Sequence, residues 1–187
     1  TSVFFQTQGL TNNPANPVSN VAIVAAQTVG NAVGDGELGG GGTCPAISQW
    51  ILVERNGIAV PVRVESLTLR DFLWNPVTQG FEELIKADII EKCVLWEAVA
   101  ENGAQGKGSS SHPLIEGTWD IKGTPLEKVK LNHHAMSVVD LNAEYTRIRT
   151  IVKKRNKGTV RHLETIGPSH IYASGTTKNA MLVWHNL

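Results

Sequence analysis

An all-β fold is predicted for the chain beyond residue 43, on three observations. Apolar residues come in short runs or in alternation with polar ones, not at helical spacing. The runs are separated at short intervals by Gly- and Asn-containing turn signals, and two of those separators are Asn-Gly.

The clearest unit is Trp50 to Arg55, Asn56-Gly57, Ile58 to Val64. Asn-Gly supplies the two positive φ angles of a type I′ turn, so a two-residue hairpin is expected. Val94 to Glu101 followed by Asn102-Gly103 repeats the signal, with a Gly-rich return strand that is ambiguous. Tyr145 to Lys154 and Thr159 to Thr165 flank Arg155-Asn156-Lys157-Gly158, and Ser169 to Ala173 and Met181 to Trp184 flank another Gly-containing turn. Four hairpins at least are implied. Val64-Glu65-Ser66-Leu67 and Val138-Val139-Asp140-Leu141 form a faint internal echo, which two related half-domains would produce and so would chance.

The first 43 residues differ in texture. Asn12-Asn13-Pro14 and Asn16-Pro17 favour turns and extended backbone, and Gly39 to Gly42 reads as a flexible linker. Gly34-x-Gly36-x-x-Gly39 matches a dinucleotide-binding pattern in form, but a run of glycines follows it instead of a helix, so the linker reading prevails. The chain therefore divides into an upstream segment, 1–43, and a β domain, 44–187. Opening at Thr1, it is expected to be a piece of something longer.

Bulk properties exclude several classes. With 17 basic and 17 acidic residues in 187, no net field draws the chain to nucleic acid or an anionic membrane. The basic cluster Lys153-Lys154-Arg155 with Lys157 reads as a solvated turn. The apolar stretch Val21 to Val33 is broken by Gln27, Gly30 and Asn31 and falls short of the roughly 20 residues a membrane span requires. Two cysteines, Cys44 and Cys93, are too few for a disulfide framework. A metal centre built from His112, His133, His134 and a cysteine lacks any Cys-x-x-Cys pair, and adjacent histidines on a strand face opposite ways. No metal or cofactor is expected.

The residues that can carry chemistry are few. Cys44 stands where the linker meets the first β element, and a thiolate there could attack its own preceding carbonyl. A small buried hydrophobe is an equal reading of that position. Cys93 and the tryptophans Trp50, Trp74, Trp96, Trp119 and Trp184 read as core or strand-face residues, with Trp184 also placed to shield the chain's end from water. Ser109-x-x-His112-Pro113 sets a hydroxyl three residues before an imidazole. Trp184-His185-Asn186 ends an apolar strand on an imidazole and a carboxamide, and an asparagine can cyclise onto its own carbonyl with cleavage of the following bond.

Cys44-Pro45, Ser109-x-x-His112-Pro113, Ser169-His170-Ile171-Tyr172 and the terminal apolar-His185-Asn186 occur in the order found in Hint domains, and over residues 44–187 the chain resembles that family of inteins, hedgehog autoprocessing domains and bacterial intein-like modules. The opening Gly-Gly-Gly-Gly-Thr-Cys-Pro-Ala is similar to Hint modules embedded in phage tail proteins. The resemblance implies a horseshoe of β-hairpins with pseudo-two-fold symmetry. It implies an autocatalytic, single-turnover domain whose substrate is its own flanking chain. Cys44 would be the nucleophile that converts the Thr43–Cys44 amide to a thioester, and Ser109 and His112 would hold that amide and protonate its leaving nitrogen. His170 and His185 would assist cyclisation of Asn186 and cleavage before Leu187. Two departures stand out. His162 falls where an aspartate is frequent, which bears on how the two cleavages are coupled, and Leu187 offers no nucleophile, so splicing by the standard route is not expected. The alternative is an inactive Hint-fold structural or interaction module in a phage tail or secreted protein.

Overall fold

A computed structural model describes residues 44–116, 123–167 and 169–185. Among them are thirteen strands and two single-turn 3-10 helices, with no α-helix. The first hairpin joins β1 (Trp50–Arg55) to β2 (Ile58–Arg63), with Arg55 opposite Ile58 and both turn residues at positive φ, Asn56 at 54° and Gly57 at 80°. A 3-10 turn over Val64–Ser66 leads to β3 (Phe72–Asn75) and the long β4 (Gly80–Cys93). β5 (Leu95–Ala100) and β6 (Gln105–Ser109) form the second expected hairpin, and the ambiguous Gly-rich segment is its return strand. Two short strands follow, β7 (Pro113–Leu114) and β8 (Thr124–Pro125). A second 3-10 turn, Leu126–Lys128, leads to β9 (His134–Val139) and the long β10 (Asn142–Lys153). β11 (Gly158–Ile166), β12 (Ile171–Gly175) and β13 (Ala180–His185) complete the chain of strands, the last two forming the expected terminal hairpin with Ile171 opposite His185.

One expected hairpin is not there. β10 does not pair with β11: Trp96 lies opposite Lys153, the Lys154 N–H donates to the Leu95 carbonyl at 2.8 Å, and β11 pairs along β4 from Gly158 opposite Cys93. Residues 154–157 are a crossover between the two ends of the sheet, and the glycine read as a turn former serves packing. A Cβ on Gly158 would lie 2.4 Å from Leu95 Cδ1. Conversely, the β9–β10 hairpin escaped the sequence reading because its turn residues, Asp140 (φ 47°) and Leu141 (φ 67°), adopt left-handed backbone without a glycine.

The sheet runs β11-β4-β3-β1-β12-β13-β9-β10-β5-β6. Each half contains a 3-10 turn, a short strand and a long strand whose far end pairs with a strand from the other half: β4 with β11, and β10 with β5. The first 3-10 turn buries Val64 and closes with Leu67 N–H to the Val64 carbonyl, while the second buries Leu126 and closes with Val129 N–H to the Leu126 carbonyl. The structural counterpart of Val64–Leu67 is thus Leu126–Val129. Val138–Leu141, the echo picked out by residue likeness, is instead the end of β9 and its turn.

The central strands are buried on both faces. Ile51, Val53, Tyr172, Leu182 and Trp184 join one core cluster, whereas Leu52, Ile171, Ala173, Met181 and Val183 join the other, as the period-2 alternation of side chains requires. β6 approaches this core so closely that it must be glycine-rich. A Cβ on Gly106 would lie 2.1 Å from Trp184 Cζ2. Gly106→Ala is expected to destabilise the fold by about 1–3 kcal/mol through overpacking, read as a lower urea midpoint at unchanged slope. An unaltered midpoint would show that the indole has room to move.

Candidate functional site

Cys44 to Ile47 connect the two ends of the sheet. On the β6 side, Pro45 is bridged to Gly108, Ala46 N–H donates to the Lys107 carbonyl at 2.9 Å, and Ser109 N–H donates to the Cys44 carbonyl at 3.1 Å. On the β11 side, Ala46 is bridged to Val160, Arg161 N–H donates to the Pro45 carbonyl at 3.0 Å, and Ile47 N–H to the Thr159 carbonyl at 3.2 Å. The segment that begins with Cys44 is therefore held from both sides by backbone hydrogen bonds.

This pairing gathers three predicted site residues. Ser109 follows the last residue that could tolerate the crowding: a Cβ on Gly108 would meet the Cys44 carbonyl oxygen at 2.9 Å and His112 Cδ2 at 2.8 Å. His112 N–H donates to the Ser109 carbonyl at 3.1 Å, a tight turn that folds the imidazole back over β6. The ring is fully buried, packs against Trp184 with ring centroids 4.1 Å apart and planes tilted by 42°, and neither nitrogen has a hydrogen-bond partner among the described residues. Burial lowers its pKa to about 3, so at neutral pH it is an uncharged imidazole. Cys44 is also buried, and loss of solvation, with Cys93 nearby, pushes its thiol up to about 12. Hydrogen bonding from Ser109 and the charge of Lys86 oppose that shift, and burial outweighs them.

A residue the sequence reading noted only as a departure completes this cluster. His162 Nδ1 lies 3.8 Å from Cys44 Sγ. Cys93, expected to be a packing residue, does pack against the small cluster of Cys44, Ala46, Leu95 and Val160. His112, His133, His134 and the cysteines form no metal-holding trio among the described residues.

His170 and His185 form a second cluster. Their rings are 6.4 Å apart and edge-on, with His185 buried beside Ile171 at the end of the terminal hairpin. His170 has φ 48°, and its Nδ1 lies 3.0 Å from the Thr165 carbonyl. A buried carboxylate organises the backbone around it. Glu82 accepts from Asn75 Nδ2 (2.7 Å), Ser169 Oγ (3.0 Å) and Thr165 Oγ1 (2.9 Å), and Gly167 packs directly on the carboxylate. Nothing in the sequence singled out Glu82, because a lone glutamate in an alternating strand is read as solvent-facing. Asn186 and Leu187, and with them Thr43 and the whole 1–43 segment, lie outside the described residues.

Trp184 corrects one expectation. Neighbouring strand residues face opposite ways, so Trp184 does not cover His185 but reaches the other face, donating from Nε1 to the Ser174 carbonyl at 3.2 Å and packing against His112.

Solved structures share this architecture. A DnaB intein from Synechocystis superposes with a TM-score of 0.62 at 15% identity over 77% of this chain and 98% of that one. The chain has the Hint fold. A bacterial intein-like domain from Clostridium thermocellum (TM-score 0.59, 15% identity, 77% and 99% covered) and an intein from a hyperthermophile (0.60, 14%, 76% and 99%) superpose comparably. The chain thus spans nearly the full length of these Hint-fold structures. No family model matches the chain and no curated protein does.

Two outcomes follow for this Hint-fold chain. An unfolded His112 binds a proton below its ordinary pKa of about 6.5, whereas the folded one does so only near 3. Its contribution to stability is thus complete above pH 6.5 and is lost as pH falls from there towards 3. His112→Phe should flatten the acid side of the thermal stability profile over that window, and a profile parallel to wild type would refute the buried neutral imidazole. Glu82→Ala should cost about 1–3 kcal/mol, since it strands buried donors, and should broaden the His170 resonances in NMR spectra. Unchanged stability with sharp His170 signals would mean that the carboxylate does not hold that loop.

Proposed function

We propose that this Hint domain cleaves its own chain at two bonds, Thr43–Cys44 and Asn186–Leu187, without joining the flanking pieces. The observation that carries the reading is the convergence at Gly108: a buried neutral imidazole and the Cys44 backbone lie against the same Cα, from residues 68 positions apart. The Cys44 carbonyl at Gly108 belongs to the peptide bond after Cys44, one along from the bond to be cut, and an uncharged imidazole that turns from there to the Cys44 nitrogen would donate a hydrogen bond to it or accept one from it without the cost of burying a cation.

In the N-terminal step the Cys44 sulfur attacks the Thr43 carbonyl carbon. The C–N bond breaks, the proton lost by sulfur is balanced by one gained at the Cys44 nitrogen, and a thioester replaces the amide. Water or an added thiol then takes the acyl group. In the C-terminal step the Asn186 side-chain nitrogen attacks its own main-chain carbonyl, releasing Leu187 and whatever follows it, with His185 and His170 assisting. Leu187 has no hydroxyl or thiol to receive the upstream acyl group, so the two breaks are independent and no ligated product forms.

The test is a time course of intact mass with and without dithiothreitol. Wild type should shorten at both bonds, with thiol accelerating only the first. Cys44→Ala should abolish the first break and spare the second, and Asn186→Ala the reverse. A folded wild type whose mass is constant over days would refute self-cleavage and leave a non-cleaving structural module.

A further inference from the structure

The Cys44 thiol is a poor starting point for nucleophilic attack. Pushed up to about 12, it is ionised in roughly one molecule in 10⁵ at pH 7. Neither Ser109 nor His112 solves this, because a hydroxyl is no base and neither His112 ring nitrogen has a hydrogen-bond partner among the described residues, the Cys44 sulfur included.

The strand register supplies what is missing. Ala46 is bridged to Val160, and the antiparallel pairing continues through Arg161 N–H to the Pro45 carbonyl, so the next residues to face each other are Cys44 and His162. Their side chains emerge on the same face and meet, Sγ to Nδ1, at 3.8 Å, within hydrogen-bond range for sulfur. We propose that His162 is the general base of the N-terminal cleavage, taking the thiol proton from Cys44 as its sulfur attacks the Thr43 carbonyl. This rests on the self-cleavage reading.

The step balances. The S–H proton passes to His162 Nδ1, the S–C bond forms, and the C–N bond breaks as the Cys44 nitrogen acquires a proton. The imidazolium left at His162 returns its proton to solvent, restoring the site. The surroundings keep the imidazole neutral until then: burial and Lys86 lower its pKa, while Glu164 on its own strand and Asp88, directly opposite on β4, pull the other way. Lys86 and Asp88 are themselves 3.8 Å apart. With Cys44 and Cys93, these are the charged and titratable groups that face the pair among the described residues.

The experiment measures dithiothreitol-dependent cleavage at Thr43–Cys44 from pH 5.5 to 9, in Asn186→Ala protein to isolate that bond, with His162 intact, His162→Ala and His162→Gln. With His162 the rate should level off above the imidazole's titration. Both variants should be about 10²-fold slower at pH 7 and should climb tenfold per pH unit, as a thiol without a base does. Cleavage at Asn186–Leu187 in Cys44→Ala protein should be indifferent to His162. Variants that match the parent in rate and profile overturn the proposal while leaving self-cleavage standing. If even the parent does not cleave, the self-cleavage reading fails, and nitrogen NMR shifts of His162 still decide whether the pair is built to pass a proton. An unprotonated Nδ1 whose shift moves in Cys44→Ala is the expected result, and a protonated Nδ1 has no lone pair for the thiol and overturns the proposal.

Discussion

The constraint on which the molecule depends is the double pairing of residues 44–47. A ten-strand path begins at β11 and ends at β6, and the segment starting at Cys44 bonds to both of those ends. Remove it, and the curled sheet has two open edges with unpaired amides and carbonyls. Keep it, and the first residue of the domain is held in fixed register against Ser109 on one side and His162 on the other. The nucleophile candidate is therefore part of the seam, and its position is set by backbone hydrogen bonds whose geometry does not depend on side-chain rotamers.

The same seam explains why the site is apolar. Closing the sheet buries Cys44 with Ala46, Leu95 and Val160, and the desolvation that stabilises this cluster holds the thiol protonated and His112 uncharged. Packing and reactivity pull in opposite directions here. Under the proposed cleavage such a site would need its own proton acceptor, and His162, a half-buried imidazole, is the side chain beside the thiol that can serve near pH 7.

Much of this was legible before any coordinates. Asn56-Gly57 set one hairpin because only left-handed backbone fits a two-residue turn of that hand. Cys44, Ser109, His112, His170 and His185 were singled out as candidates from the order of short motifs, and the fold groups them in space as three and two. What escaped has physical reasons. Asp140-Leu141 turns without glycine because both flanking strands are already paired along their length, with Asn142 opposite Val139. Gly158 looked like a turn signal but is a site of close approach to Leu95, and glycine in sequence does not say which of the two it serves. The exchange of β4 and β10 between halves is a long-range pairing that no local pattern encodes. The closeness of His162 to Cys44 and the role of Glu82 were invisible for the same reason, since Cys44 lies 118 positions from His162 and two of the three Glu82 partners, Thr165 and Ser169, lie 83 and 87 positions away.

The terminal strand ties the two clusters together. Successive residues of β13 point to opposite faces, so Trp184 packs against His112 in the first cluster while His185 meets His170 in the second. One peptide unit thus separates a side chain that packs the N-terminal cluster from one that belongs to the C-terminal cluster. Trp184 is locked in place by its hydrogen bond to Ser174 and by Gly106 against its indole, so any tilt of the end of β13 must be absorbed at both clusters at once.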